Sequence, residues 1–181
     1  MSSPLLALRA QLDRLAPRPA PAGPAWSTGL PELDAALGGG VPRAGITELV
    51  GPRSAGRTTL ARRLVAEVLA AGRWVAVIDA ERTLAPQDWA GLGARLVVIR
   101  PHEADRAPWC ADRLLRSGVF ALVVLDGVRP LPRASSVRLA QLARERETAL
   151  LVVGAVSAAT PVISGGPTLR LRVQARPTAE V

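Results

Sequence analysis

Lysine, asparagine and tyrosine are absent from this chain of 181 residues. All 23 basic residues are arginine, a bias that points to a GC-rich coding sequence drifting away from AT-rich codons. The single cysteine, Cys110, excludes an internal disulfide and fits a reducing cytosol. Its apolar-spaced position in a predicted helix reads as a buried structural thiol. His102 has no metal-ligand partners at useful spacing, so no metal cluster of His and Cys is expected. Aromatic residues make up 3% of the chain, which leaves few stacking platforms for single-stranded bases. No run approaches the ~20 apolar residues of a membrane span, although 49% of the residues are hydrophobic. The first nine residues lack the charged start and cleavage site of a signal peptide. These absences lead to the expectation of a cytoplasmic protein with no membrane contact.

What is present begins with charge. The formal net charge is +8 and the pI about 11.5. Such a balance favours contact with nucleic acid or an acidic protein face, or else describes a solvated arginine-rich surface. The length suits one domain with a full core.

The most informative stretch is Gly51-Pro-Arg-Ser-Ala-Gly-Arg-Thr58. It has the G-x4-G-K-[ST] spacing of a phosphate-binding loop, with Arg57 where lysine belongs. A β-type run, Ile46–Val50, precedes it. Leu60, Leu64, Val65, Val68 and Leu69 follow at helical spacing up to Gly72, a C-terminal stop. Strand, glycine loop and helix form the context this motif requires. The glycines let backbone N–H groups turn toward a phosphate, and the helix N-terminus adds partial positive charge. Arginine is a planar fork on a long stem, whereas lysine is a compact point charge that fits inside the loop. Phosphoryl transfer depends almost wholly on positioned charge. Two readings of Arg57 follow: hydrolysis is weak or lost, or arginine substitutes adequately.

Residues 1–25 read as a separate N-terminal part. Leu5, Leu8, Leu12 and Leu15 form a stripe on a candidate helix over 4–15, followed by a semi-rigid Pro-rich tether over 17–24. The domain proper spans 26–181. Trp74–Asp79, Leu96–Arg100, Val119–Asp126 and Ala149–Val153 read as buried strands. Between them lie helical stretches at Pro86–Leu92, at a segment opened by Pro108 and ending near Gly118, and at Val137–Glu147. Apolar strands alternating with helices give an α/β fold with a mainly parallel sheet covered on both faces. Leu169, Leu171 and Val173 alternate with Arg170, Arg172 and Gln174, as in a half-exposed strand with a basic outer face.

The order of these pieces resembles the core of the RecA recombinase family. Ser27-Thr-Gly29, Leu33-Asp34 and Leu37-Gly-Gly-Gly-Val-Pro42 resemble that family's approach to its loop. Ile78-Asp-Ala-Glu-Arg-Thr-Leu-Ala-Pro86 resembles its "IDAE.ALDP" segment, and Leu114–Gly118 followed by Leu122–Asp126 resembles its helix and Walker B strand. The resemblance covers roughly residues 26–128 and implies a RecA-like P-loop fold. It places the family's catalytic glutamate on Glu81. It places nucleotide contacts on Gly51, Ser54, Ala55, Gly56, Arg57, Thr58, Thr59 and Asp126, with Mg²⁺ held by Thr58 and Asp126 if ATP or ADP binds. Three departures stand out. Arg57 replaces the loop lysine. Gly127–Ala134 and Ala155–Gly166 are short where recombinases carry DNA-lining loops. Gly154-Ala-Val-Ser157 lacks the amide that couples the γ-phosphate to DNA.

A shortened chain with these losses looks like the ImuA accessory proteins of damage-induced mutagenesis. The resemblance implies an adaptor in the SOS response and translesion synthesis, partnered with RecA or translesion polymerase components. Its ATPase site would be degenerate and Glu81 ancestral, with cofactor either ATP/ADP with Mg or none. The alternatives are a small DNA-dependent ATPase of the RecA class and a SulA-type cell-division inhibitor. Weak DNA contact is expected at Arg170, Arg172 and Arg176, falling steeply with salt. The leucine stripe implies docking on the chain's own core or on another RecA-like protomer, including self-association.

Overall fold

The computed structural model describes residues 23–154 and 162–174. The stripe of Leu5, Leu8, Leu12 and Leu15, and Arg176, lie outside the described residues. The strands are β1 (Ala25–Trp26), β2 (Val41–Pro42), β3 (Gly45–Val50), β4 (Trp74–Asp79), β5 (Leu96–Ile99), β6 (Phe120–Asp126), β7 (Ala149–Gly154) and β8 (Leu169–Arg172). The helices are α1 (Pro31–Ala36), α2 (Arg57–Ala70), α3 (Pro86–Trp89), α4 (Ala107–Ser117) and α5 (Arg133–Glu145). β1 and β2 form a short antiparallel ladder; the other six strands form one sheet in the order β5-β4-β6-β7-β3-β8, every pair parallel. The α/β fold with its mainly parallel sheet is therefore the one the sequence predicts. No helix among the described residues is long and apolar enough to cross a membrane.

Alternation along each central strand feeds two cores. Ala76, Ile78, Val123, Leu125, Leu150 and Val152 meet Ala111 and Leu115 of α4 and Leu139 and Leu142 of α5. The intervening residues Val75, Val77, Leu122, Val124, Leu151 and Val153 meet Leu64, Val65 and Val68 of α2, with Trp89 of α3. Burial on both faces explains why these strands read as unbroken apolar runs. Cys110 is partly buried and packs against the first core, in line with a structural thiol.

Two boundaries move. Helix α5 starts at Arg133, one turn before the predicted Val137, because Pro132 stands in extended geometry ahead of it and Ser136 is buried in its first turn. Strand β8 stops at Arg172, and its outer face is not wholly free. Arg170 donates from Nε to Glu48 Oε2 at 2.6 Å. Glu48 is fully buried on β3 and also accepts the backbone N–H groups of Val162 and Ile163.

The motifs ahead of the loop turn out to be fasteners. Asp34 on α1 accepts from Ser27 Oγ at 2.7 Å, from Thr28 N at 2.8 Å and from Thr28 Oγ1 at 2.6 Å. Burial pushes its carboxyl up, but these hydrogen bonds outweigh it and hold Asp34 below its ordinary value. The glycine run is needed for close approach: a Cβ on Gly40 would stand 2.1 Å from the Trp26 carbonyl oxygen.

Candidate nucleotide site

The chain reverses direction across the sheet between β4 and β6. In open α/β sheets, ligands bind beyond the carboxyl ends of the strands at such a point. The carboxyl ends of β4, β6, β7 and β3 bring together Asp79, Asp126, Gly154 and Gly51. The sequence-predicted loop and both strand-end acids therefore meet in one place.

The loop keeps the backbone of a phosphate cradle. Gly56 caps α2 at φ +91°, and Ser54 also lies in the left-handed region at φ +62°. A side chain at Gly51 would collide with the Val173 carbonyl oxygen, 2.3 Å from its Cβ, where the chain leaves β8. Ser54, Gly56, Thr58 and Thr59 are exposed, and Ala55 is partly so. The hydroxyl of Thr58 is thus free to face a cation. Gly56 and Thr59 also border a hollow of about 440 Å³ that continues to Leu30, Leu33, Leu171 and Arg172.

Arg57 is committed elsewhere. Its stem runs back over Gly51, and its guanidinium Nη1 donates to the carbonyl oxygen of Gly154 at the end of β7. The cation that should meet a β/γ-phosphate is held at the strand end by a backbone acceptor. Its positive charge also acts on Asp126.

Asp126 is the perturbed acid. Burial raises its carboxyl from 3.8 to about 6, and the neighbouring charge of Asp79 adds to the rise. Arg57 and the N–H of Gly127 pull the other way without winning, and Glu81 pushes slightly upward. Asp79 sits opposite Asp126 in register and has full support: Thr83 N at 2.9 Å, Leu84 N at 3.3 Å and Arg100 Nε at 3.0 Å.

Glu81 is exposed, just beyond β4, and lies against Gly127. A Cβ on Gly127, which has φ +75°, would come within 2.8 Å of Glu81 Cγ and 3.2 Å of Glu81 N. Glycine after Asp126 is what lets the Glu81 segment close on the end of β6.

The donor set suits a magnesium nucleotide in part. The cradle, the Thr58 hydroxyl and the Asp126 carboxylate are kept, while the loop cation is directed at Gly154. Sequence reasoning missed Asp79 as the anchor of this end. Its signal was visible, since it closes an apolar run in the same way as Asp126. Of the predicted DNA-contacting arginines, Arg170 is engaged by Glu48, and Arg172 lines the hollow beside the loop.

Comparison with known proteins agrees with this frame. The RecA N-terminal domain family matches residues 15–162. Protein RecA of Picosynechococcus sp. is 46% identical over 106 residues, covering 56% of this chain and 30% of that protein. The chloroplastic DNA repair protein recA homolog 1 of Arabidopsis thaliana is 41% identical over 113 residues, 60% of this chain and 26% of its own length. The matches thus take in only about a third or less of these relatives. Among solved structures, that of the RadB recombinase superposes with a TM-score of 0.57 at 26% identity, covering 71% of this chain and 69% of that one. The match of the family model to residues 15–162, most of its length, puts this chain in the RecA N-terminal domain family.

Proposed function

We propose that this chain is an accessory protein of the ImuA type. It serves the SOS response to DNA damage and error-prone translesion synthesis by contacting RecA or translesion polymerase components, not by turning over ATP. The observation that carries this reading is the engagement of Arg57 with the Gly154 carbonyl, which takes the loop's one basic side chain at the lysine position away from the cradle. Catalysis at a phosphoryl-transfer site is almost wholly positioning and electrostatic stabilisation, so taking away a positioned charge weakens it. The names of a DNA repair protein among the relatives and of a recombinase among the solved structures support the repair setting.

A small DNA-dependent ATPase is the second reading, favoured by the retained Thr58, Glu81 and Asp126. Steady-state hydrolysis by the purified full chain, with and without single-stranded DNA, separates the two. The expected result is no turnover above background under either condition and no gain from Arg57→Lys alone. Turnover that Glu81→Gln abolishes would establish the ATPase and reject the adaptor as the primary role. Co-purification with RecA provides the positive readout.

A further inference from the structure

The helices α4 and α5 carry a surface remote in character from the phosphate loop. Trp109 on α4 is 52% exposed. One exposed apolar residue means little by itself, but here other features converge on it. The guanidinium groups of Arg113 and Arg106 lie over its ring, 5.3 and 5.8 Å from the centroid. Beside it runs a hollow of about 250 Å³ between the helices, lined by Pro108, Asp112, Ser135, Arg138 and Leu139. Arg138 reaches across to Asp112 with Nε at 2.6 Å and Nη2 at 3.3 Å, and Arg116 adds Nε at 2.9 Å. Burial pushes Asp112 up, but hydrogen bonds from Arg138 and Arg116 outweigh it and hold the carboxyl below its ordinary value. The walls of the hollow are therefore fixed by an ionised bridge. Arg138 and Arg116 are taken up by Asp112, and Glu103 and Asp105 are the acids just before α4. The two guanidinium groups at the half-exposed indole itself are those of Arg106 and Arg113.

We propose that this surface docks an acidic segment of a partner protein that carries a large apolar side chain. Carboxylates of the segment meet Arg106 and Arg113, and the apolar side chain packs on the Trp109 edge and Pro108. Tryptophan and arginine are the residues on which interface energies concentrate. The geometry suits a peptide better than a single-stranded nucleic acid. Guanidinium groups already lie over the indole face a base would need, and the other exposed tryptophan, Trp74, stands at the start of β4. Single-stranded binding draws on successive stacking platforms. The proposal deepens the adaptor reading by giving it a surface and a partner chemistry. It rests on that reading only in requiring a partner, since a chain that hydrolysed ATP would keep the same surface.

The test uses the full chain and three fluorescein-labelled probes, read by anisotropy. The probes are a Glu/Asp-rich peptide containing leucine and phenylalanine, the same peptide with those two replaced by serine, and oligo(dT). The first peptide is expected to bind more tightly than the serine version. Trp109→Ala should weaken it about ten-fold or more, the size of an interface anchor, and so should Arg106→Glu with Arg113→Glu. Trp74→Ala should leave binding unchanged. Circular dichroism checks each variant, and if Trp109→Ala loses its fold the arginine reversals read the same surface. Equal binding of both peptides, indifference to Trp109→Ala in a folded variant, no peptide binding at all, or Trp109-dependent binding of oligo(dT) alone would each overturn the proposal. Detection of ATP turnover would reject the functional reading above and leave this one standing.

Discussion

Asp79 and Asp126 close neighbouring strands at matched register, yet they do different work. Asp79 is buried and receives two backbone N–H groups and the Arg100 guanidinium, which also ties to the Leu84 carbonyl at 2.6 Å. Its negative charge organises the turn between β4 and α3. Asp126 has the N–H of Gly127 and the distant help of Arg57, and its carboxyl sits at about 6. The strand end that is fully bonded serves the structure. The strand end left electrostatically short is the one poised to meet a ligand.

The hardest way to break the comparison is Asp79→Ala. It leaves the Thr83 and Leu84 N–H groups without their acceptor and strips Arg100 of its partner. A loss of about 3 kcal/mol is expected, since each buried N–H left without its acceptor costs about 1–3 kcal/mol. Urea denaturation checks it. A loss below about 1 kcal/mol would mean that the turn does not depend on this carboxylate.

Asp126→Asn should do the opposite. In the fold the carboxyl titrates near 6, against 3.8 ordinarily. Between those values the folded state holds the proton more often than the unfolded chain. Stability therefore falls as pH rises through this window, and the full penalty stands above it. Removing the charge should stabilise the protein by about 2 kcal/mol at pH 7.5, with the gain fading as pH approaches 4. Thermal melts of both proteins across that range give the answer, and a gain independent of pH would exclude titration as its source.

Arg57→Ala sharpens the comparison with the smallest change in stability, about 1 kcal/mol or less for a partly exposed ion of this kind. Its main effect should be on titration. Without the guanidinium, the Asp126 carboxyl should move upward from about 6. Carboxyl carbon NMR titration follows it. A downward movement of Asp126 would show that Arg57 does not act on it.

Much of this fold was legible in the residues. The apolar runs at β4, β6 and β7 could only be strands buried on both faces, and Pro108 and Gly118 bracket α4 as start and stop signals. The loop and Asp126 were found by spacing. What spacing could not show is the acceptor each arginine selects. Arg57 reaches a carbonyl 97 positions away and Arg170 a carboxylate 122 positions away, and neither pairing leaves a local pattern. The two-residue ladder of β1 and β2 is too short to carry a period. Asp34 reads in the sequence as part of the family's approach to its loop, and its partners Ser27 and Thr28 show that it fastens α1 to the segment just after β1. Residue identity gave the site its membership, and tertiary contact gave each member its role.

Glu48 has a consequence for what this scaffold can accommodate. It grips the backbone at Val162 and Ile163 as well as Arg170, while Gly154 is fixed by β7 and by Arg57. One buried carboxylate thus ties β3, the Val162–Ile163 backbone and β8 together, so the strand that leads into the phosphate cradle cannot shift without drawing both along.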